Sequence, residues 1–253
     1  MLALEFPPLS HIVDWPGLAG EGAVWEINKV VVIYGFAVLF TFLLFFLGGR
    51  KKELVPTGAQ NLAEMAVEFV EDGIAVETMG AEGRKYTPYL LSLFFFIFFT
   101  NIFEVIPIFQ MPASARIALP LVVAIFSYAV YHGAGVKSHG FGYIKHAIVP
   151  PGVPVGMLPL VMLIEFVSKF LVQPFSHTVR LFANMLAGHI ALKIFAGFVA
   201  TLLFAGGWAI LSPLPLVLTI ALIALEFLVA GLQAYVFAVL TCIYLHDALH
   251  PGH

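Results

Sequence analysis

Arg180 stands near the middle of the strongly apolar stretch Gln173 to Phe198, QPFSHTVRLFANMLAGHIALKIFAGF, and is followed there by Asn184, His189 and Lys193. The pattern predicts a helix long enough to lie in a bilayer. An arginine at the bilayer centre costs about 3 kcal/mol on insertion scales. A chain keeps such a group when it faces a partner or a water-filled cavity. At about 100° per residue, Ser176, Arg180 and Asn184 fall on one stripe. His189 lies nine residues after Arg180, on nearly the opposite side, and Lys193 shares that side. Ala183, Ala187, Gly188 and Ala191 lie between them, and small residues let another helix approach closely in lipid. The two faces carry different chemistry. A guanidinium stays protonated, so it can hold an anion but cannot hand a proton on. An imidazole changes charge near neutral pH and can.

A second set of polar groups sits on a later apolar run. Glu226 and Gln233 are seven residues apart, on nearly the same helix face. Asn101 and Glu104 close an earlier apolar run, and Glu165 precedes the Arg180 stretch with Lys169 four residues on. Each admits a structural reading. Arg180 can pair inside the chain with Glu165 or Glu226. His189 can be a hydrogen-bonded core histidine. Asn184 and Gln233 can bond across helices, Asn101 and Glu104 can reach the headgroups, and Glu165 and Lys169 can neutralise each other.

The elements that must position these groups are membrane helices. Of 253 residues, 61% are hydrophobic and only 11% charged, which is the range of a polytopic membrane chain. The net charge of −3 argues against nucleic-acid binding. The single cysteine, Cys242, excludes an internal disulfide or a Cys metal site and reads as a small buried hydrophobe. The N-terminus lacks the basic-then-apolar order of a signal peptide. The expected organisation is one membrane domain, all-α, with an outer segment over 1–28, a span over 30–47 and an amphipathic helix over 56–80. That helix suits either the membrane interface or a solvated surface. Spans over 86–106 and 116–132 follow, then two long apolar helices over 157–205 and 214–246. Both of these exceed the roughly 20 residues of a perpendicular span, so they must tilt, bend or form a hairpin. Arg50, Lys51, Lys52, Arg84, Lys85, Lys137 and Lys145 fall in two connections on one side, against Arg116 and at most Lys29 opposite, which makes the first side cytoplasmic (or matrix) and the N-terminus external.

RLFANMLAGH, residues 180 to 189, resembles the signature of the F-type ATP synthase subunit a family, the membrane stator of the proton channel. LEFLVAGLQAYVFAVLTCIYLHDA, Leu225 to Ala248, resembles the last helix of that family, and TNIFEVIP, Thr100 to Pro107, adds a weaker likeness. The resemblance implies two steeply tilted helices against a ring of c subunits, each carrying one mid-membrane carboxylate. Protons enter by one half-channel, neutralise that carboxylate, ride the ring and leave by another. The matching essential arginine is Arg180. It attracts a deprotonated ring carboxylate and blocks a direct leak. His189 and Glu226 stand where many bacterial relatives have an acid and a histidine, an exchange that fits two neighbours in one proton relay. By the same resemblance Asn184 and Gln233 line the arginine's site, and Asn101 and Glu104 line the outer half-channel. Glu165 corresponds to an acid usually eight residues before the proline at Pro174. Here the spacing is nine, so a one-residue helical bulge is expected between them, and an inner-channel role competes with the Lys169 pair.

Implied partners are the c-ring, peripheral-stalk b subunits, the remaining synthase subunits, lipid and protons, with no nucleic acid. No cofactor or metal is expected. His246, Asp247, His250 and His253 read as a frayed tail before and after Pro251, and no phosphate loop or nucleophile set appears, so the chain is not a catalyst by itself. The bacterial plasma membrane is the expected location, with the mitochondrial inner membrane as the alternative, and sodium coupling is a variant. A secondary transporter holding an anionic substrate on Arg180 is the alternative function. It predicts inverted repeats, and the sequence carries none.

Overall fold

The computed structural model describes residues 29–50, 53–106, 117–140, 142–149, 153–154, 156–203 and 206–250. The expected outer segment over 1–28, Lys51 and Lys52, the loop with Pro107, Pro112 and Arg116, and the tail from Pro251 lie outside them, as do the side chains of Glu104 and Lys145. The chain is an all-α polytopic membrane protein. Five helical runs among the described residues are long and apolar enough to cross a bilayer. Helix α1 covers Lys29–Arg50, α2 Ala59–Val70, α3 Thr87–Val105, α4 Ala118–His139, α5 Gly142–Ile148, α6 Leu158–Phe166, α7 Gln173–Leu203 and α8 Pro213–Leu249.

The residues group into two compact units. The first holds 1–40, 96–116 and 181–233. Its core is Val30, Ile33 and Ala37, one stripe of α1, packed with Phe103 of α3. Phe40 lies 5.9 Å from Phe99 and 5.6 Å from Phe103, and Phe36 lies 6.1 Å from Phe103, so rings join the two helices. On α7 the buried stripe is Leu181, Met185 and His189, spaced by four. On α8 it includes Ala230 and Gln233.

The second unit holds 41–95, 117–180 and 234–253. After α2 the chain stays helical through a π segment, Glu71–Val76, and a 3₁₀ segment, Gly80–Tyr86, before α3 begins. Gln60, Ala63 and Val70 of α2 are buried, whereas Leu62, Met65 and Phe69 are exposed. Gly83 lies against the backbone of Ala75, a contact too close for any side chain. Tyr89 Oη of α3 donates to Ser127 Oγ of α4 at 2.9 Å.

Two features extend beyond the sequence expectation. Helix α4 continues to His139, seven residues past the expected end of that span, because Gly135 lets the ring of Tyr143 lie on it. The tail expected to fray after His246 is helical to Leu249. His139 Nε2 lies 2.7 Å from the Leu249 carbonyl, and His250 Nε2 lies 3.5 Å from Glu82 Oε2. Partners distant in sequence hold this helix end, and the sequence pattern does not reveal them.

Candidate functional site

In the first unit, α3, α7 and α8 enclose a cavity of about 120 Å³. Its polar lining is Asn101 from α3, Asn184 from α7 and Glu226 from α8, with Gly188, Met185, Val105 and Leu222 among the apolar remainder. At roughly 10–15 Å³ per water, the space admits several waters. Asn101 is fully buried and Asn184 sits at the exposed edge.

The carboxylate of Glu226 is seated on Gly188. A Cβ built on that glycine would lie 2.7 Å from Glu226 Oε1 and 3.4 Å from its Cδ. Only a residue without a side chain lets the two helices hold the acid there. Both carboxylate oxygens are shielded from solvent and have no hydrogen-bond partner among the described residues. Leaving a buried acceptor unsatisfied costs about 1–3 kcal/mol, a cost that function can retain. His189, next to Gly188 in sequence, is 4% exposed and lies outside the cavity lining. Gln233 is likewise 4% exposed, two turns beyond Glu226 on α8. Glu104 lies on α3 one turn after Asn101, its side chain outside the described residues. The structure therefore brings Asn101, Asn184 and Glu226 to one cavity, with His189 adjacent in the chain.

In the second unit, Arg180 lies half-buried on α7, one turn after His177. The interval between Glu165 and Pro174 contains a π segment, Val167–Val172, where the bulge was expected. The wider turn carries Lys169, whose Nζ lies 3.0 Å from Glu165 Oε2 and donates to the Ala147 carbonyl at 2.9 Å, near the end of α5. Glu165 is thus paired on its own helical turn. The neighbouring His132 Nδ1 lies 2.8 Å from Tyr143 Oη, with Phe170 stacked on the imidazole at 5.2 Å. Burial, reinforced by Tyr128 and Asp247, pushes the Tyr143 phenol up to about 12, so it keeps its proton at physiological pH.

Sequence reasoning passed over four residues near these sites. Gly188 registered only as a small residue. His132 and Tyr143 lie eleven residues apart across a helix break, and no sequence pattern links them. His177 had a signal, an imidazole one turn before an intramembrane arginine. Among the described residues no group of three or more His, Cys, Asp or Glu side chains has the arrangement of a metal site.

Residues 30–246 match the family described as ATP synthase A chain. The ATP synthase subunit a of Bradyrhizobium diazoefficiens is 50% identical over 220 residues, 86% of each chain. That of Rhodopseudomonas palustris is 47% identical over 239 residues, 94% of this chain and 93% of its own. That of Maricaulis maris is 47% identical over 223 residues, 85% of each. Matched over most of its length by these relatives, with its polar groups set on membrane helices, the chain belongs to the ATP synthase A chain family, a non-catalytic membrane subunit of the ATP synthase complex.

Proposed function

We propose that this chain is the proton-conducting stator of a rotary F-type ATP synthase in a bacterial plasma membrane, working against a c-ring and held by the peripheral-stalk b subunits. The observation that carries the reading is the Glu226 carboxylate, seated on Gly188 of the family signature and bordering a polar cavity with Asn101 and Asn184. A buried carboxylate beside space for water can take and release protons.

In this reading Asn101 and Glu104 line the outer half-channel, His189 and Glu226 form one proton relay, Asn184 and Gln233 line the arginine's site, and Glu165 stands at the inner half-channel. The exposed apolar side chains of α2, Leu62, Met65 and Phe69, rest in the headgroup layer. Arg180 faces the ring carboxylates. A guanidinium attracts a carboxylate that has lost its proton and favours its charged form. It cannot lose its own proton, so it interrupts a direct leak between the half-channels. Rotation then follows proton flow, because a ring carboxylate must be neutral to move into lipid and charged to meet Arg180.

The test is ATP-driven proton pumping by inverted vesicles carrying the assembled complex, with native chain or Arg180→Ala. Pumping should vanish in the variant while assembly stays normal. Unchanged pumping would remove Arg180 from the mechanism.

A further inference from the structure

One imidazole close to Arg180 has no part in the scheme above. His177 precedes Arg180 by three residues on α7 and is only 6% exposed. Its ring meets α8 edge-on, 4.5 Å from Phe237 at 84° and 5.2 Å from Tyr244 at 61°. Its Nε2 is shielded from solvent and has no hydrogen-bond partner among the described residues. An unsatisfied buried nitrogen is costly. A phenyl ring would make the same edge-on contacts without that cost. Packing alone therefore favours phenylalanine here, and the chain carries a group that can exchange protons.

Ring contacts continue from His177. Tyr244 also meets Tyr131, with ring centres 5.7 Å apart, and the Tyr131 hydroxyl donates to Gln173 Oε1 at 3.3 Å. Those three residues border a cavity of about 20 Å³ with His132, Lys169 and Asp247. Such a space holds one water. Ring contacts thus link His177 through Tyr244 to Tyr131, and Tyr131, Gln173 and Tyr244 share the lining of that cavity with Asp247, all inside one unit. The titratable and charged groups nearest His177 are Tyr244 from α8 and Arg180 from its own helix.

We propose that His177 is a proton-relay residue of the second half-channel, carrying protons between the surroundings of Arg180 and the Tyr131–Tyr244–Asp247 cavity. The inference rests on the proton-conducting reading and adds a residue to it. In each passage the neutral imidazole accepts one proton from a hydronium on one side, forming an N–H bond and a cation. It then releases one ring proton to water on the other side. The ring returns neutral and no electrons are exchanged.

The test uses the whole complex in inverted vesicles and replaces His177 by Phe, which keeps the ring contacts. General acid–base groups contribute about 10²–10⁴ in rate, so ATP-driven pumping should fall at least tenfold with normal assembly. The pH profile of the rate should change shape, which a packing defect would not cause. If His177→Phe fails to assemble, His177→Gln, polar but unable to titrate, is measured in its place. Arg180→Ala and Glu226→Gln are measured in parallel. Native rates and pH profile in the His177 variant, with pumping lost in the other two, overturn the relay and leave the stator reading intact. Native pumping in all three overturns the stator reading itself.

Discussion

Gly188→Ala is the smallest change that moves the candidate proton-bearing group. The added Cβ would lie 2.7 Å from Glu226 Oε1, whereas ordinary contact begins at 3.4 Å, so the carboxylate must retreat by the difference, 3.4 − 2.7 = 0.7 Å. The atom it meets is the end of a flexible side chain. The strain is therefore rotameric, about 0.5–1.5 kcal/mol. Against it stands the helix propensity of alanine over glycine, about 1 kcal/mol in favour. The two nearly cancel, and the variant should fold and assemble. Function should respond differently, because a misplacement of about 1 Å can cost about 10²-fold in rate. On that scale, 0.7 Å corresponds to a loss of roughly ten- to thirtyfold in ATP-driven pumping. The assay is vesicle acidification normalised to the amount of assembled complex. The double variant Gly188→Ala, Glu226→Asp adds a sharper control. Aspartate withdraws the carboxylate by about one bond, roughly 1.5 Å, so it clears the new methyl and should tolerate it better than glutamate does. Native pumping by Gly188→Ala would refute the idea that the seat of this carboxylate matters.

Two further variants probe the second unit. Gly83→Ala would drive a methyl group into the carbonyl of Ala75, and backbone cannot rotate aside as a side chain can. Stability should drop by about 1–3 kcal/mol, seen as a lower unfolding temperature, and an unchanged temperature would reject the close packing of the 3₁₀ segment on the π segment. Tyr143→Phe removes the bond to His132 Nδ1 and should cost about 0.5–1.5 kcal/mol. Burial raises the Tyr143 phenol from 10.0 to about 12 in the fold. Its contribution is then full below pH 10 and is lost as pH rises through 12. Thermal unfolding followed across that window should fall less steeply in Tyr143→Phe than in the native chain, and parallel curves would count against a buried, protonated phenol.

The same contrast between local and tertiary causes explains what the sequence discloses. The membrane class is legible because apolar runs of this length have no other stable home. The bulge before Pro174 is legible through the family resemblance, which sets the acid eight residues before that proline where this chain has nine, and the Val167–Val172 π segment lies in that interval. The Glu165–Lys169 pair follows from its i,i+4 spacing alone. The membrane class and the ion pair are effects of neighbours in the chain. The meeting of Asn101 with Glu226 is of another kind. Their apolar surroundings carry no record of which helices become adjacent, and in sequence the two are joined only by resemblance to a family. Gly188 makes the same point more sharply. Read locally it is one small residue among several in ANMLAGHIA, and its meaning depends on where a separate helix delivers a carboxylate. His177 escaped notice for an electrostatic reason. A permanent charge in lipid announces its cost from sequence, as Arg180 does. A neutral imidazole does not, and its cost arises only once packing has closed around Nε2 without offering it a partner among the described residues. Charge is therefore a sound guide to one class of functional residue in a membrane helix, and burial of an unsatisfied neutral group is needed to find the other.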